Sequence, residues 1–306
     1  MIQFAPIVLF AYNRSGHLLK TLIHLAQAKG ASESNLWIFC DGPKPNADIS
    51  EIEAVRAVAH DGVWHDRFKS VRIEVSDVNK GLARSVIGGV NAVMEDAGRA
   101  IVVEDDLLVS PDFLMFMNDC LDFFAADDTV GSITGFSPLE IAPAEYTHDV
   151  MAIPRNSSHG WATWADRWRE VDWEARDAAQ IWRDSALRRR FNAAGNDRAD
   201  RLRRQLSGKI DSWSIRFGLW QTLCERCTIY PVHNRVHNIG FDDSGIHTRA
   251  GQELNAHALS ESRPYRLEFV TENASLIRRV ARAYAGPFYA QVLRDVRYWL
   301  LSMVRR

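Results

Sequence analysis

Ile101-Val-Val-Glu-Asp-Asp-Leu-Leu-Val-Ser-Pro-Asp-Phe-Leu114 is the stretch from which the rest of the chain is best read. Residues 100–103 form an apolar run without alternation, the pattern of a strand buried on both faces. The run ends in Glu104, Asp105 and Asp106. Three adjacent carboxylates repel one another, and they lose solvation wherever a site closes over them. A divalent cation relieves both costs. Mg²⁺ and Mn²⁺ take oxygen ligands, commonly one or two carboxylates together with substrate phosphates. The competing reading is an exposed acidic turn capping the helix expected over 113–124, just after Pro111. The buried strand favours the ion, because it sets the acids where a parallel sheet binds its ligands.

Upstream, apolar runs at 6–11 and 35–40 and an alternating one at 71–75 read as strands. Amphipathic spacing at 18–28, 49–59 and 81–97 reads as helices, with Ser15 a candidate cap for the first. Strands alternating with helices of this length imply βαβ crossovers, hence an α/β fold with a mostly parallel central sheet flanked by helices. The strand ends carry Tyr12-Asn13-Arg14, Asp41 and Glu104-Asp105-Asp106, so polar and acidic groups converge on one edge. Beyond Pro111, residues 130–135 read as a further strand. Residues 155–250 are rich in Trp, Arg, Asp, Asn and Gly, which suits a half built around a ligand. The expected organisation is a Rossmann-like half (1–110), a second half built around a ligand (111–275) and basic amphipathic C-terminal helices (276–306).

The chain has 306 residues, enough for a large core, and 25% are charged, the balance of a soluble globular protein. Lys+Arg 37 against Asp+Glu 39 gives a net charge of −2, which disfavours a nucleic-acid partner. Four cysteines are too few for a disulfide framework in a chain of this length. Cys224 and Cys227 match Cys-x-x-Cys but have no second pair at zinc spacing. No Walker-type phosphate loop occurs, and no Gly-x-Gly-x-x-Gly follows the first strand, so P-loop and dinucleotide-dehydrogenase readings lose support.

The acidic segment resembles the metal-binding segment of GT-A glycosyltransferases, with Glu104-Asp105-Asp106 as a variant of their Asp-x-Asp motif. The nearest resemblance is to N-acetylglucosaminyltransferase I and bacterial relatives of that type. Pro6-Ile-Val-Leu-Phe-Ala-Tyr-Asn-Arg14 is similar to the family's first strand and nucleotide loop. Cys40-Asp41-Gly42 resembles its second-strand end. Lys80-Gly-Leu-Ala-Arg84 resembles the loop that closes over the nucleotide, and Ser158-His-Gly-Trp-Ala-Thr-Trp164 the Gly-Trp segment beside the donor. Asp211-Ser-Trp213 resembles the Asp-x-Trp that carries the catalytic base. Ile210 stands where the family has a further Trp, so N-acetylglucosamine is not implied as the sugar.

The resemblance implies a metal-dependent, inverting transferase. It would move a sugar from a nucleotide-diphosphate donor, with a UDP-sugar favoured, to a glycan or lipid-linked glycan acceptor. Asp106 would hold Mn²⁺ or Mg²⁺, which stabilises the leaving diphosphate as a Lewis acid. Asp105 would meet ribose or sugar hydroxyls, Glu104 and Trp161 the donor sugar, and Asp41 the base. Tyr12 belongs to the nucleotide loop. Arg14 and Arg84 would hold phosphate oxygens through charge-assisted bonds. Asp211 would accept the acceptor's proton, although Asp is also a favoured N-cap for the apolar helix over 215–223. Two rivals are a nucleotidyltransferase that makes the nucleotide sugar, and a non-catalytic glycan- or membrane-binding protein on a degenerate GT-A fold. The first would need a Gly-rich loop after the first strand, and the intact acids speak against the second.

Of ten tryptophans, Trp161, Trp164, Trp168, Trp173, Trp182, Trp213 and Trp220 fall in the second half, as sugar-stacking faces or as core. His233, His237 and His247 read as loop residues, and 238–247 as a candidate lid. Arg188–Arg190 and Arg201–Arg204 read as solvated helix faces, with a lipid-linked phosphate or a membrane as the alternative partner. Residues 276–306 hold seven Arg and one acid among Trp, Tyr, Phe and Leu, a composition suited either to docking on the core or to an anionic membrane surface. No basic n-region opens the chain and no run of roughly 18 apolar residues occurs, so the expected location is cytoplasmic, with peripheral membrane contact through 276–306.

Overall fold

The computed structural model describes residues 4–138, 143, 145–240, 259 and 261–284. In chain order the first half runs β1 (Ile7–Ala11), α1 (Ser15–Gln27), β2 (Asn35–Cys40), α2 (Ile49–Ala59), β3 (Ser70–Val75), α3 (Leu82–Ala97), β4 (Arg99–Glu104), β5 (Leu107–Val109) and α4 (Phe113–Phe123). The second half continues with β6 (Val130–Thr134), β7 (Val150–Ile153), β8 (Trp161–Trp164), α5 (Ala165–Arg169), α6 (Gln180–Arg183), α7 (Ser185–Asn192), α8 (Arg198–Leu206), α9 (Trp213–Leu223), β9 (Cys227–Pro231), β10 (Val236–Asn238) and α10 (Ala274–Ala283). The expected helices and strands of the first half are present. Ser15, however, is the first helical residue rather than the cap, and Arg14 at the cap position makes no side-chain capping bond.

Both halves contribute to one eight-stranded sheet of order β3-β2-β1-β4-β8-β6-β9-β7. β3, β2, β1 and β4 are parallel, as the βαβ pattern requires. β8 enters antiparallel between β4 and β6, and β7 closes the far edge antiparallel to β9. β5 lies outside this sheet and pairs antiparallel with β10.

Residues alternate across the sheet, and the two faces bury different partners. Ile7, Leu9, Ile38, Ile101 and Val103 face Leu18, Leu22 and Leu25 of α1 and the Phe-rich α4. Val8, Phe10 and Val102 face Val86, Val90 and Val93 of α3, and Trp213 and Phe217 of α9. Each of these side chains is at most 5% exposed, so each contributes on the order of 1.5–3 kcal/mol by burial. A satellite core of Ile181, Phe191, Leu202, Ile215 and Leu219 holds α6 to α8 against α9. At the C-terminal side, Leu276 and Val280 of α10 dock on the main core. That docking accounts for the first turns of the basic segment. Residues 285–306, including Trp299, lie outside the described residues, as do His247 and all but the first three residues of the candidate lid. Among the described residues no helix is long and apolar enough to cross a membrane.

Candidate active site

A cleft of about 1840 Å³ opens along the carboxyl edge of the parallel strands. One wall carries Tyr12, Arg14, Asp41, Arg84 and the acids 104–106, and the opposite wall carries residues 155–159, Asp197, Arg198, Asp200, Arg201, Arg204 and Ile210–Ile215. The sheet thus converts residues scattered over two hundred positions into one surface. Of the residues expected to form a site, Tyr12, Arg14, Asp41, Arg84, Glu104, Asp105, Asp106 and Asp211 all line this cleft. Trp161 does not.

The acids are no exposed turn. Asp105 and Asp106 are 4% and 7% exposed. Arg14, delivered by the loop after β1, ion-pairs with Asp105 and reaches Asp106 Oδ2 at 2.9 Å. Its guanidinium is therefore the internal counter-ion of the acids, where a phosphate contact was expected of it. The Tyr12 amide also donates to Asp105, at 3.4 Å. Behind Asp106, the β5–β10 ladder brings the Ile239 amide to the Asp106 carbonyl at 2.8 Å. Gly240 packs so closely that an added Cβ would collide with Asp106 Oδ2 and come 2.8 Å from Arg14 Nη1.

Even with Arg14 present, negative charge is crowded here. Desolvation, then the charges of Asp106 and Asp105, push the Glu104 carboxyl up to about 8. Desolvation likewise lifts Asp105 to about 6, against the opposing pull of Arg14. His159, on the other wall, is held below its ordinary value by burial, with the Asp106 charge opposing. Among the described residues its Nδ1 is buried without a hydrogen-bond partner. Among the described residues no group of three or more His, Cys, Asp or Glu converges as a self-sufficient metal cage. The donor set fits a hard cation that arrives with substrate phosphates: two buried carboxylates, an orphaned imidazole nitrogen nearby and open cleft in front.

Asp41 has a different job from the one expected. Its carboxylate accepts the Lys80 amide at 2.8 Å, the Gly42 amide at 2.9 Å, Asn79 Nδ2 at 3.0 Å and the Gly81 amide at 3.1 Å. Two oxygens serving four donors have little capacity left for a base. Asp41 anchors the loop that begins α3, and Gly81 makes that turn at φ +76. The anchored loop presents exposed Arg84 to the cleft from the first turn of the helix. Tyr12 lies beside it, its hydroxyl accepting the Lys44 amide at 3.3 Å and its ring 5.3 Å from Lys44 Nζ.

Across the cleft, Asp211 sits one residue before the cap of α9. Ser212 is the cap, accepting from the Ile215 amide, so the capping alternative for Asp211 is set aside. Asp211 is 55% exposed and pairs with Arg216 at 2.7 Å, and Arg216 is in turn fixed by the Ser212 and Trp173 carbonyls. The pairing engages Oδ1, and the carboxylate lines the cleft.

Trp161 is core. It is 2% exposed, between Trp213 at 4.5 Å and Trp168 at 5.5 Å. The N–H groups of Trp164, Trp168 and Trp220 are satisfied by the Leu121 carbonyl, Asn91 and Glu170, the signature of structural indoles. Of the seven second-half tryptophans only Trp213 reaches the cleft. Sequence reasoning also missed a cleft aromatic, Trp37 on β2, with Arg72 over its ring at 4.3 Å. No sequence signal marked it: 36–40 is uniformly apolar, and only the structure shows Trp37 and Phe39 at the half-buried positions of the strand.

His233 and His237 do not line the cleft. All four cysteines are free, including Cys224 and Cys227.

No protein-family model matches this sequence. Solved structures resemble it at a distance. The mannosyltransferase PcManGT of Pyrobaculum calidifontis, in complex with GDP-Man and Mn²⁺, is 14% identical over 53% of this chain and 44% of its own, with a TM-score of 0.37. S. aureus TarS is 11% identical over 50% of this chain and 25% of its own, at 0.32. The galactosyltransferase LgtC, in complex with donor and acceptor sugar analogues, is 12% identical over 74% of this chain and 72% of its own, at 0.38. The chain thus spans less than half the length of the first two.

Proposed function

We propose that this chain is a GT-A glycosyltransferase that moves a sugar from a nucleotide-diphosphate donor, a UDP-sugar first among them, to a glycan or lipid-linked glycan acceptor with inversion at the anomeric carbon. The observation that carries the reading is the pairing of Asp105 and Asp106 with Arg14 at the end of β4, facing Asp211 across one cleft. The order of motifs in the sequence supports it.

The donor binds along the acidic wall. Arg84 holds phosphate oxygens from the start of α3, while Arg14 holds Asp105 and Asp106 in place. Asp106, together with the diphosphate, would hold Mn²⁺ or Mg²⁺, which would supply Lewis-acid stabilisation of the charge on the leaving group. The acceptor hydroxyl approaches from the opposite wall. Its proton passes to the Asp211 carboxylate as its oxygen forms a bond to the anomeric carbon. The bond from that carbon to the β-phosphate oxygen breaks, and the electron pair leaves with the nucleoside diphosphate.

Thermal-shift titration of the full chain with UDP, GDP and CMP, each with and without Mn²⁺, tests the reading. The expected result is a shift with UDP that Mn²⁺ enlarges. No metal-dependent shift with any of the three would favour a non-catalytic binding module.

A further inference from the structure

The wall opposite the acids is as crowded with positive charge as the floor is with negative. Arg198, the first residue of α8, is 2% exposed, and its guanidinium donates to the carbonyls of Pro154, Phe191 and Gly218 without a carboxylate partner. Arg155, 7% exposed, forks onto Asp197 at 2.7 and 3.1 Å and lies 3.6 Å over the Tyr284 ring. One turn further along α8, Arg201 and Arg204 are exposed, line the same cleft and project from one face by their i,i+3 spacing. Among the described residues neither guanidinium is within ion-pair distance of a carboxylate. The nearby Asp200 is paired with Arg203 at 3.6 Å instead.

Of the residues of this stretch that line the cleft, four arginines (155, 198, 201 and 204) therefore stand against two aspartates (197 and 200), an excess of two positive charges. Desolvation, then the Arg155 charge, push Arg198 down to about 9, and desolvation lowers Arg201 too. A guanidinium resists losing its proton, so proton release does not relieve this crowding. A bound anion would. Planar guanidinium forks suit phosphate oxygens.

We infer that Arg201 and Arg204, backed by Arg198 and the Arg155–Asp197 pair, form a second oxyanion site on the acceptor wall that receives a phosphate carried by the acceptor. The assignment rests on the proposed transferase reading for the word acceptor, but the phosphate site itself does not. It narrows the acceptor to a phosphorylated glycan or a phosphate-linked lipid, two sources of the same chemistry.

The test is calorimetric titration of inorganic phosphate, at constant ionic strength, into the full chain loaded with UDP and Mg²⁺ so that the donor phosphate subsite is filled. Binding is expected to the loaded wild type and to weaken at least tenfold in Arg201→Gln/Arg204→Gln. Both positions are exposed, and an unchanged melting temperature and unchanged UDP affinity in the variant would show that fold and donor site survive. A farnesyl phosphate arm separates the sources. Tighter binding than inorganic phosphate points to a lipid-linked acceptor, and equal binding to a soluble phosphorylated glycan. Equal phosphate affinity in wild type and variant, or no binding to the loaded wild type, overturns the inference. If UDP itself fails to bind, the transferase reading falls, while the same titration of unloaded wild type and variant still decides the phosphate site.

Discussion

The two walls of the cleft solve the same electrostatic problem with opposite signs. On the strand side, Asp105 and Asp106 are buried, and among the described residues Arg14 is the one guanidinium paired with them. On the helix side, buried Arg155 and Arg198 are set around one Asp197. Each wall is under-compensated, and each leaves its excess charge facing the cleft. Neither excess is explained by folding alone, since buried charge without a full partner is costly. A cationic ligand fits the first wall and an anionic one the second. A metal–diphosphate complex meeting a phosphate-bearing acceptor would satisfy both together.

The largest expected effect separates the walls by role. Asp211→Asn should lower turnover by about 10²- to 10⁴-fold, the range for loss of a general base, with UDP affinity within twofold of wild type. Near-normal turnover in a steady-state assay would remove Asp211 from the chemistry. Trp161 tests whether the tryptophan layer behind both walls is core. Trp161→Ala should cost about 3–5 kcal/mol in urea unfolding, through loss of its stacking on Trp213 and Trp168. A loss of donor affinity without that destabilisation would return Trp161 to the site.

Smaller effects sharpen the contrast. Gly240→Ala forces a methyl against Asp106 and Arg14, and should cost about 1–3 kcal/mol while weakening Mn²⁺-dependent UDP binding. A neutral result would mean that the β10 end yields easily. On the basic wall, burial alone would raise the Asp197 carboxyl, but the Arg155 fork outweighs it and sets it down to about 2. With the folded value below the unfolded one, this pair's stabilisation is fully present above roughly pH 4 and is lost as pH falls toward 2. Asp197→Asn should remove that part of the acid limb, on the order of 2 kcal/mol, in melts between pH 5 and pH 2. An unaltered acid limb would mean the pair contributes nothing.

The strand wall was legible in the sequence because it is local. Each strand is a contiguous apolar run, and its last residue names the site residue: Ala11 then Tyr12, Cys40 then Asp41, Val103 then Glu104. Topology adds only the convergence. Of the helix wall, Asp211 and the stretch at 158–159 were legible, but the arginines were not. Its Arg201 and Arg204 have the period of a solvated helix face, and only the docking of α8, through its cap Asp197, on Arg155 some forty positions away turns that face into the cleft. Trp161 misled for a related reason: a Gly-Trp segment looks alike whether its indole meets a sugar or two other indoles. The saturation of Asp41 by residues 79–81 was likewise invisible, being a loop–loop contact without periodicity.

The most direct measurement is release of nucleoside diphosphate from UDP-sugars by the full chain with Mn²⁺, wild type against Asp106→Asn. The account predicts that wild type releases UDP from at least one donor, that chelation of the metal stops it, and that Asp106→Asn lowers it by at least a hundredfold. Release that is indifferent to both metal and Asp106, or no release and no binding of any nucleotide, would contradict it.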